Sequence, residues 1–287
     1  MSRNDNRFQE NLDTLGQIPQ PQQEPENNVV DLLTFAAPTE FVQLPSKGKF
    51  YPPGHPLCNS EFVEIKYMTA KEEDILTSQA LIKKGVVLDR LIQSVLIDKR
   101  IKPESLLVGD KTALMIASRI TGFGPEYATK FFCRSCNESV HYTFDLSELK
   151  EPEQVNFEEE GITDEGEGLF SVILPKTKIK ATLRLLTGQD EIEIGKFMEK
   201  QKKSNVDLGA STTQLLFIIH ALNDQTGRAQ IYNFIQNLPF SDAKFIREVY
   251  KKVNPTVNMK QETVCPNCGA EEEVELPMTV EFFWPKQ

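Results

Sequence analysis

The sequence predicts an α+β protein built from two tandem pseudo-repeats, each a strand, capped helices, a C-x-x-C knuckle and a β-hairpin, joined through one shared zinc ribbon. Three observations predict it. The stretches "TKFFCRSCNES" and "VCPNCGA" place Cys133 with Cys136 and Cys265 with Cys268, so four of the five cysteines stand in two pairs of one spacing. The sequence ahead of one pair can be laid over the sequence ahead of the other. Within each stretch, strand-like alternation gives way to a cap signal and then to helical apolar runs.

The knuckles come first because they carry the chemistry. A C-x-x-C turn brings two thiolates and nearby backbone N–H groups toward one ion, and two such turns supply the four tetrahedral ligands of a closed structural zinc site. The pairs are separated by 128 residues, far more than the usual knuckle-to-knuckle distance, so a shared ion ties remote parts of the chain together. Two disulfides would also use four cysteines, but "MSRNDNRFQE" has no basic or apolar leader, which points to a compartment that keeps thiols reduced. A redox pair is disfavoured because neither C-x-x-C opens a helix. Four thiolates leave no open position for catalysis. The expected cofactor is one structural zinc on Cys133, Cys136, Cys265 and Cys268.

Residues 1–38 are rich in Asn, Gln, Pro and acidic side chains and cannot bury enough apolar surface to fold alone. Within them "VVDLLTF" gathers Val29, Leu32, Leu33 and Phe35, a pattern suited to docking in a groove on a partner or on the chain's own body; a solvated tail is the other reading. Repeat one is assigned to residues 39–149, ending in the first knuckle. An acidic linker, "KEPEQVNFEEEGITDEGEG", is expected at 150–168. Repeat two takes 169–287, ending in the second knuckle.

The overlay aligns "VEIKYMTAKEEDIL" (63–76) with "ATLRLLTGQDEIEI" (181–194), Thr69 over Thr187, and "VGDKTALMIASRITGFGP" with "FSDAKFIREVYKKVNPTV", Asp110 over Asp242. The offset is 118 residues at the threonines and 132 at the aspartates and cysteines, so the second copy carries an insertion, assigned to "KQKKSNVDLGASTT". In copy one "FVEIKYM" alternates as a strand, and Thr69 with Glu72 three residues on forms a capping signal. Thr187 with Asp190 imitates it. The carboxylates of these first helical turns complement the helix dipole, and that placement explains them without catalysis. "VVLDRLIQSVLI" and "TQLLFIIHAL" are apolar nearly all round and are expected as buried helices, with His220 a satisfied core histidine. A further helix is expected from about Asp110 in one copy and Ser241 in the other. Beyond each knuckle comes an alternating run, Tyr142, Phe144 and Leu146 aligning with Val274, Leu276 and Met278, expected as β-strands leaving the knuckles. His141 is read as an exposed strand residue, and His55 with Cys58 as parts of a Pro/Gly turn.

With 39% hydrophobic and 26% charged residues, 287 residues can bury one large core or two modest ones. The longest apolar run, "LLFII", is far short of a bilayer span, so no membrane role is expected. A net charge of −10 argues against nucleic acid as a partner, because such binding depends on Lys and Arg displacing counterions. No P-loop, nucleophile elbow, H-E-x-x-H or dinucleotide fingerprint occurs, and three histidines leave few acid–base candidates, so the chain is read as no enzyme.

"LPSKGKFYPPGHPL", followed by "VEIKYMTAKEEDILTSQALIKKGVVLDRLI", resembles the baseplate hub protein family of T-even-like contractile-tailed bacteriophages, over roughly residues 40–285. That resemblance implies a virion component of the tail baseplate, or a factor that assembles its hub in the host cytoplasm, holding hub, tube or wedge proteins together. Other phage baseplate, hub or tail-tube proteins are then the implied partners. The family offers no catalytic motif to carry over, and the ligand assignment rests on cysteine spacing alone. A host-directed zinc-ribbon regulator or adaptor is the alternative, disfavoured by the acidic balance.

Overall fold

A computed structural model describes residues 36–149, 156–204, 209–276 and 282–283; the segment holding Val29, Leu32, Leu33 and Phe35 lies outside them. The N-terminal half opens with strands β1 (Thr39–Gln43) and β2 (Phe62–Lys66), an antiparallel pair in which Val42 faces Val63. Their alternation turns Val42, Val63 and Ile65 inward and leaves Phe41 and Phe62 exposed. Helices α1 (Ala70–Thr77), α2 (Gln79–Lys83) and α3 (Val87–Val95) follow. Helix α3 buries Leu91, Ile92 and Val95 along one face, after which Leu96 bridges to Ile65 of β2. Helix α4 (Val108–Phe123) ends at Gly124, whose φ of 83° suits a residue without Cβ. Strands β3 (Glu126–Phe132) and β4 (Ser139–Asp145) then pair antiparallel, with Tyr127 and Phe131 inward from β3.

The C-terminal half builds a four-stranded antiparallel sheet from β5 (Thr163–Gly166), β6 (Leu169–Ile173), β7 (Lys180–Arg184) and β8 (Ile219–Leu222), in that spatial order. Helices α5 (Gly188–Ser204) and α6 (Ala210–Ile218) lie between β7 and β8 in sequence. Helices α7 (Arg228–Gln236) and α8 (Phe240–Val253) lead to β9 (Lys260–Val264) and β10 (Glu271–Glu275), a second antiparallel ribbon.

Two expectations change. "TQLLFIIHAL" is not one buried helix: α6 ends at Ile218, and Ile219–Leu222 crosses to strand, where pairing with β7 satisfies the backbone that the helix releases. The β-branched pair Ile218–Ile219 sits at this switch, and both are fully buried. His220 consequently faces outward and is exposed, not a core residue. The acidic stretch after residue 155 also differs from a linker. Phe157 packs its ring on Phe170 at 5.4 Å, Ile162 is buried, and β5 pairs with β6. Two apolar anchors suffice to order an otherwise charged segment.

Both first-helix caps use one design. Glu72 accepts from the Thr69 N–H and hydroxyl and from the Lys66 ammonium; Asp190 accepts from the Thr187 N–H and hydroxyl and from the Arg184 guanidinium. Each hydroxyl donates to the carboxylate, and at Thr69 the reciprocal capping box is also present, the Thr69 side chain accepting from the Glu72 N–H while the Glu72 side chain accepts from the Thr69 N–H. Asp110 and Asp242, each third in its helix, are fully buried. Asp110 accepts from the Ser46 N–H and hydroxyl and from the Tyr51 hydroxyl, while Asp242 accepts from the N–H groups of Lys176 and Thr177 and the Thr177 hydroxyl. Each thus pins a preceding strand-loop turn to its own helix.

The halves meet through backbone. Val108 N–H donates to Leu186 O at 3.0 Å and Gly188 N–H to Leu106 O at 2.8 Å. A Cβ at Gly188 would stand 2.4 Å from Pro103 O, and one at Gly109 only 1.7 Å from Pro255 O, so both glycines permit an approach that any side chain would block. Lys111, nearly buried, reaches Asp89 of its own half and Glu191 of the other, each at 2.7 Å.

Candidate metal centre

Each knuckle joins the two strands of a ribbon, and each turn is built in one way. Cys133 N–H donates to Glu138 O and Asn137 N–H to Cys133 O; Cys265 N–H donates to Ala270 O and Gly269 N–H to Cys265 O. The turn requires left-handed backbone just after the second cysteine. Asn137 adopts φ 57° and Gly269 φ 72°, and Asn and Gly are the residues that tolerate it. The spacing identified the cysteines; it did not identify Asn137 and Gly269, although an Asn or Gly after the second cysteine of both pairs was the available signal.

The fold brings all four predicted ligands together. Their sulfurs lie within 4.8 Å of one another. Contacts run across the knuckles, Cys133 Sγ to Cys268 Sγ at 3.7 Å and Cys136 Sγ to Cys265 Sγ at 3.9 Å, and none is a disulfide. A tetrahedral thiolate site with Zn–S of about 2.3 Å requires sulfurs about 3.8 Å apart, so the spacing fits such an ion and is nearly twice the ~2.05 Å of a disulfide. Cys133 and Cys265 are buried, Cys136 is half-buried and Cys268 is exposed, which leaves a path for metal entry. Asn267 Nδ2 donates to Glu138 Oε2 at 2.9 Å, a further link between the knuckles, and Gln261 of β9 donates to Asp145 O of β4.

The thiols are unequal. Burial works against the Cys265 thiolate, yet the N–H groups of Cys268 and Asn267, helped by neighbouring thiols, bring its pKa down to about 7. At Cys133 the Cys136 N–H favours the thiolate, but burial and the adjacent Glu272 carboxylate outweigh it and push the pKa up to about 12. Protons must therefore leave when four thiolates take up a metal.

The other sequence-level candidates fall elsewhere. His55 accepts from Leu57 N–H at Nδ1, meets Ser105 Oγ at Nε2 and stacks on Tyr51 with ring centroids 4.4 Å apart, so its role is to hold a turn. Cys58 lies in the same turn. His141 is exposed on β4 opposite Lys130 and is not part of the cysteine cluster.

A family model described as T4 bacteriophage base plate protein matches residues 37–284. The chain belongs to that family. The match spans both halves and both knuckles of this baseplate protein and begins two residues before β1. No curated protein and no solved structure matches the chain.

Proposed function

We propose that this baseplate protein is a non-enzymatic component or assembly factor of the hub, holding hub, tube or wedge proteins together through a body clamped by one zinc ion. The carrying observation is the convergence of Cys133 and Cys136, at the close of the N-terminal half, with Cys265 and Cys268, more than 125 residues further on, in a chain of the base plate family. The ion would act as a cross-link and not as a catalyst, since four thiolates fill its coordination sphere. Tandem duplication of residues 39–149 and 169–287 is part of this reading. It is supported by the matched Lys66–Glu72–Thr69 and Arg184–Asp190–Thr187 groups, by the buried Asp110 and Asp242, and by the two knuckles of one build. Val29, Leu32, Leu33 and Phe35 are assigned to partner binding.

The test is a phage lacking the gene. It should still make heads and tail proteins yet leave baseplates incomplete, with wedges or hub precursors accumulating in lysates viewed by electron microscopy. Normal contractile tails in the null phage would end the reading. Stoichiometric copies in purified virions, measured by mass spectrometry, would identify a permanent subunit; absence from virions would identify a departing assembly factor.

A further inference from the structure

A cleft of about 730 Å³ opens beside α1 and α3 in the N-terminal half. Its charge is opposite to that of the whole chain. Lys66, Lys71, Arg90 and Lys99 stand around it, over an apolar wall of Ile75, Leu81, Leu96 and Ile97. No carboxylate is among its lining residues; Glu72 is buried and engaged by Lys66, Ser94 and Thr69, Asp89 pairs with Lys111, and Asp98 with Arg100. Lys99 is engaged as well, donating to the carbonyls of Gln93, Ser94 and Leu96 at the end of α3. Lys71 and Arg90 are exposed, and among the described residues their side chains take part in no hydrogen bond or ion pair.

The C-terminal half shows what lies against a cleft of this construction. There, a cleft of about 610 Å³ is lined by Arg184 and Asp190, which pair with each other as Lys66 and Glu72 do, although Glu72 itself does not line the N-terminal cleft. The pairing of Ile219 with Leu183 corresponds to that of Leu96 with Ile65. Its opposite wall is chain from the other half, including Phe50, Pro52 and Leu107, and Leu107 forms a main-chain bridge to Thr187. All the residues lining the N-terminal cleft belong to the N-terminal half itself.

We propose that this cleft is a docking site for an extended acidic segment with apolar side chains, supplied by a partner protein of the baseplate. Arg90 offers the planar fork that binds a carboxylate in two-point fashion, and Lys71 offers a second cation. Ile75, Leu81 and Ile97 receive the apolar side chains. An acidic peptide fits better than nucleic acid, because a chain of net charge −10 repels a long polyanion and the apolar wall has no use for one. Burial, together with repulsion from Lys66 and Lys71, holds the Lys99 ammonium below its ordinary pKa, a strain that a bound carboxylate relieves. The proposal rests on the baseplate reading for the source of the segment.

The test uses the purified full chain panned against a displayed library of random peptides, with enriched peptides then labelled with fluorescein and titrated by anisotropy. Enriched sequences should combine Asp or Glu with Leu, Ile or Phe. Their Kd should weaken at least tenfold in Lys71→Glu/Arg90→Glu, and also in Ile97→Asp, while circular dichroism stays unchanged. No enrichment, enrichment of basic peptides, equal binding by the double variant, or a single-stranded DNA oligonucleotide that binds more tightly than the peptides would each overturn the proposal. In phage, full complementation by the double variant where the null fails would sink the cleft and leave the baseplate reading standing; normal tails in the null would sink that reading itself.

Discussion

Thr69 and Thr187 carry equivalent loads because each gives its hydroxyl proton to a carboxylate that also holds a cation. Thr69→Ala and Thr187→Ala should therefore each cost about 1 kcal/mol, measured by urea unfolding. A neutral result at one and a severe result at the other would count against the proposed duplication. Glu72 adds a pH dependence. Burial opposes its charge, but Lys66, Ser94 and Thr69 together hold its pKa down to about 2, against about 4.3 in an unfolded chain. A folded-state pKa below the unfolded value means that the stabilisation is complete above the unfolded pKa and is lost as pH falls through the window from about 4 to about 2. The stability difference between wild type and Glu72→Gln should be large at pH 7 and shrink steadily below pH 4. A difference that stays constant with pH would mean that the carboxylate charge contributes nothing.

At the scale of elements, the ribbons β3–β4 and β9–β10 are small two-stranded sheets, and such hairpins are marginal without a further anchor. Beyond the core residues Tyr127, Phe131, Val140 and Phe144 of the first ribbon, the anchor proposed for both is one ion held by the cysteine cluster. In the chain-entropy picture, cross-linking a loop of this length removes about 4 to 5 kcal/mol of unfolded-state freedom. Purified protein should contain one zinc per chain by metal analysis, and chelation or Cys265→Ser should lower the melting of both halves, seen as loss of amide protection in both ribbons. A metal-free preparation, or melting confined to residues after Cys265, would contradict a shared clamp. The cysteine cluster was legible because C-x-x-C spacing is a local signal, and the strand and capped helix that adjoin in each half were legible because Thr followed three residues later by Glu or Asp is one too. The strand β8 was not legible. Nothing local distinguishes Ile219–Leu222 from the helix before it, since the choice is made by β7, whose free edge lies some 35 residues upstream. The ordering of Phe157 and Ile162 was missed for another reason: the hairpin β5–β6 and the contact of Phe157 with Phe170, 13 residues on, are local but masked by the acidic composition around them.

For the whole molecule, the boundary that matters functionally is the one at residue 37, where the compact unit Ala37–Gln287 and the family match both begin. Pro38 O already accepts from Tyr67 N–H at 2.8 Å, so the body includes the residues just ahead of β1. Deleting residues 1–36 should leave the melting temperature and zinc content of the body unchanged, because a polar, Pro-rich tail adds little to a core. The same deletion should weaken baseplate assembly in complementation if Val29, Leu32, Leu33 and Phe35 dock on a partner, since a segment that orders on binding can grip a large surface. Replacing only those four residues by Ser should reproduce the assembly defect without shortening the chain, which separates docking from mere reach. A truncated protein that folds, binds zinc and complements fully would reduce the tail to a solvated extension and leave the zinc-clamped body to make every contact.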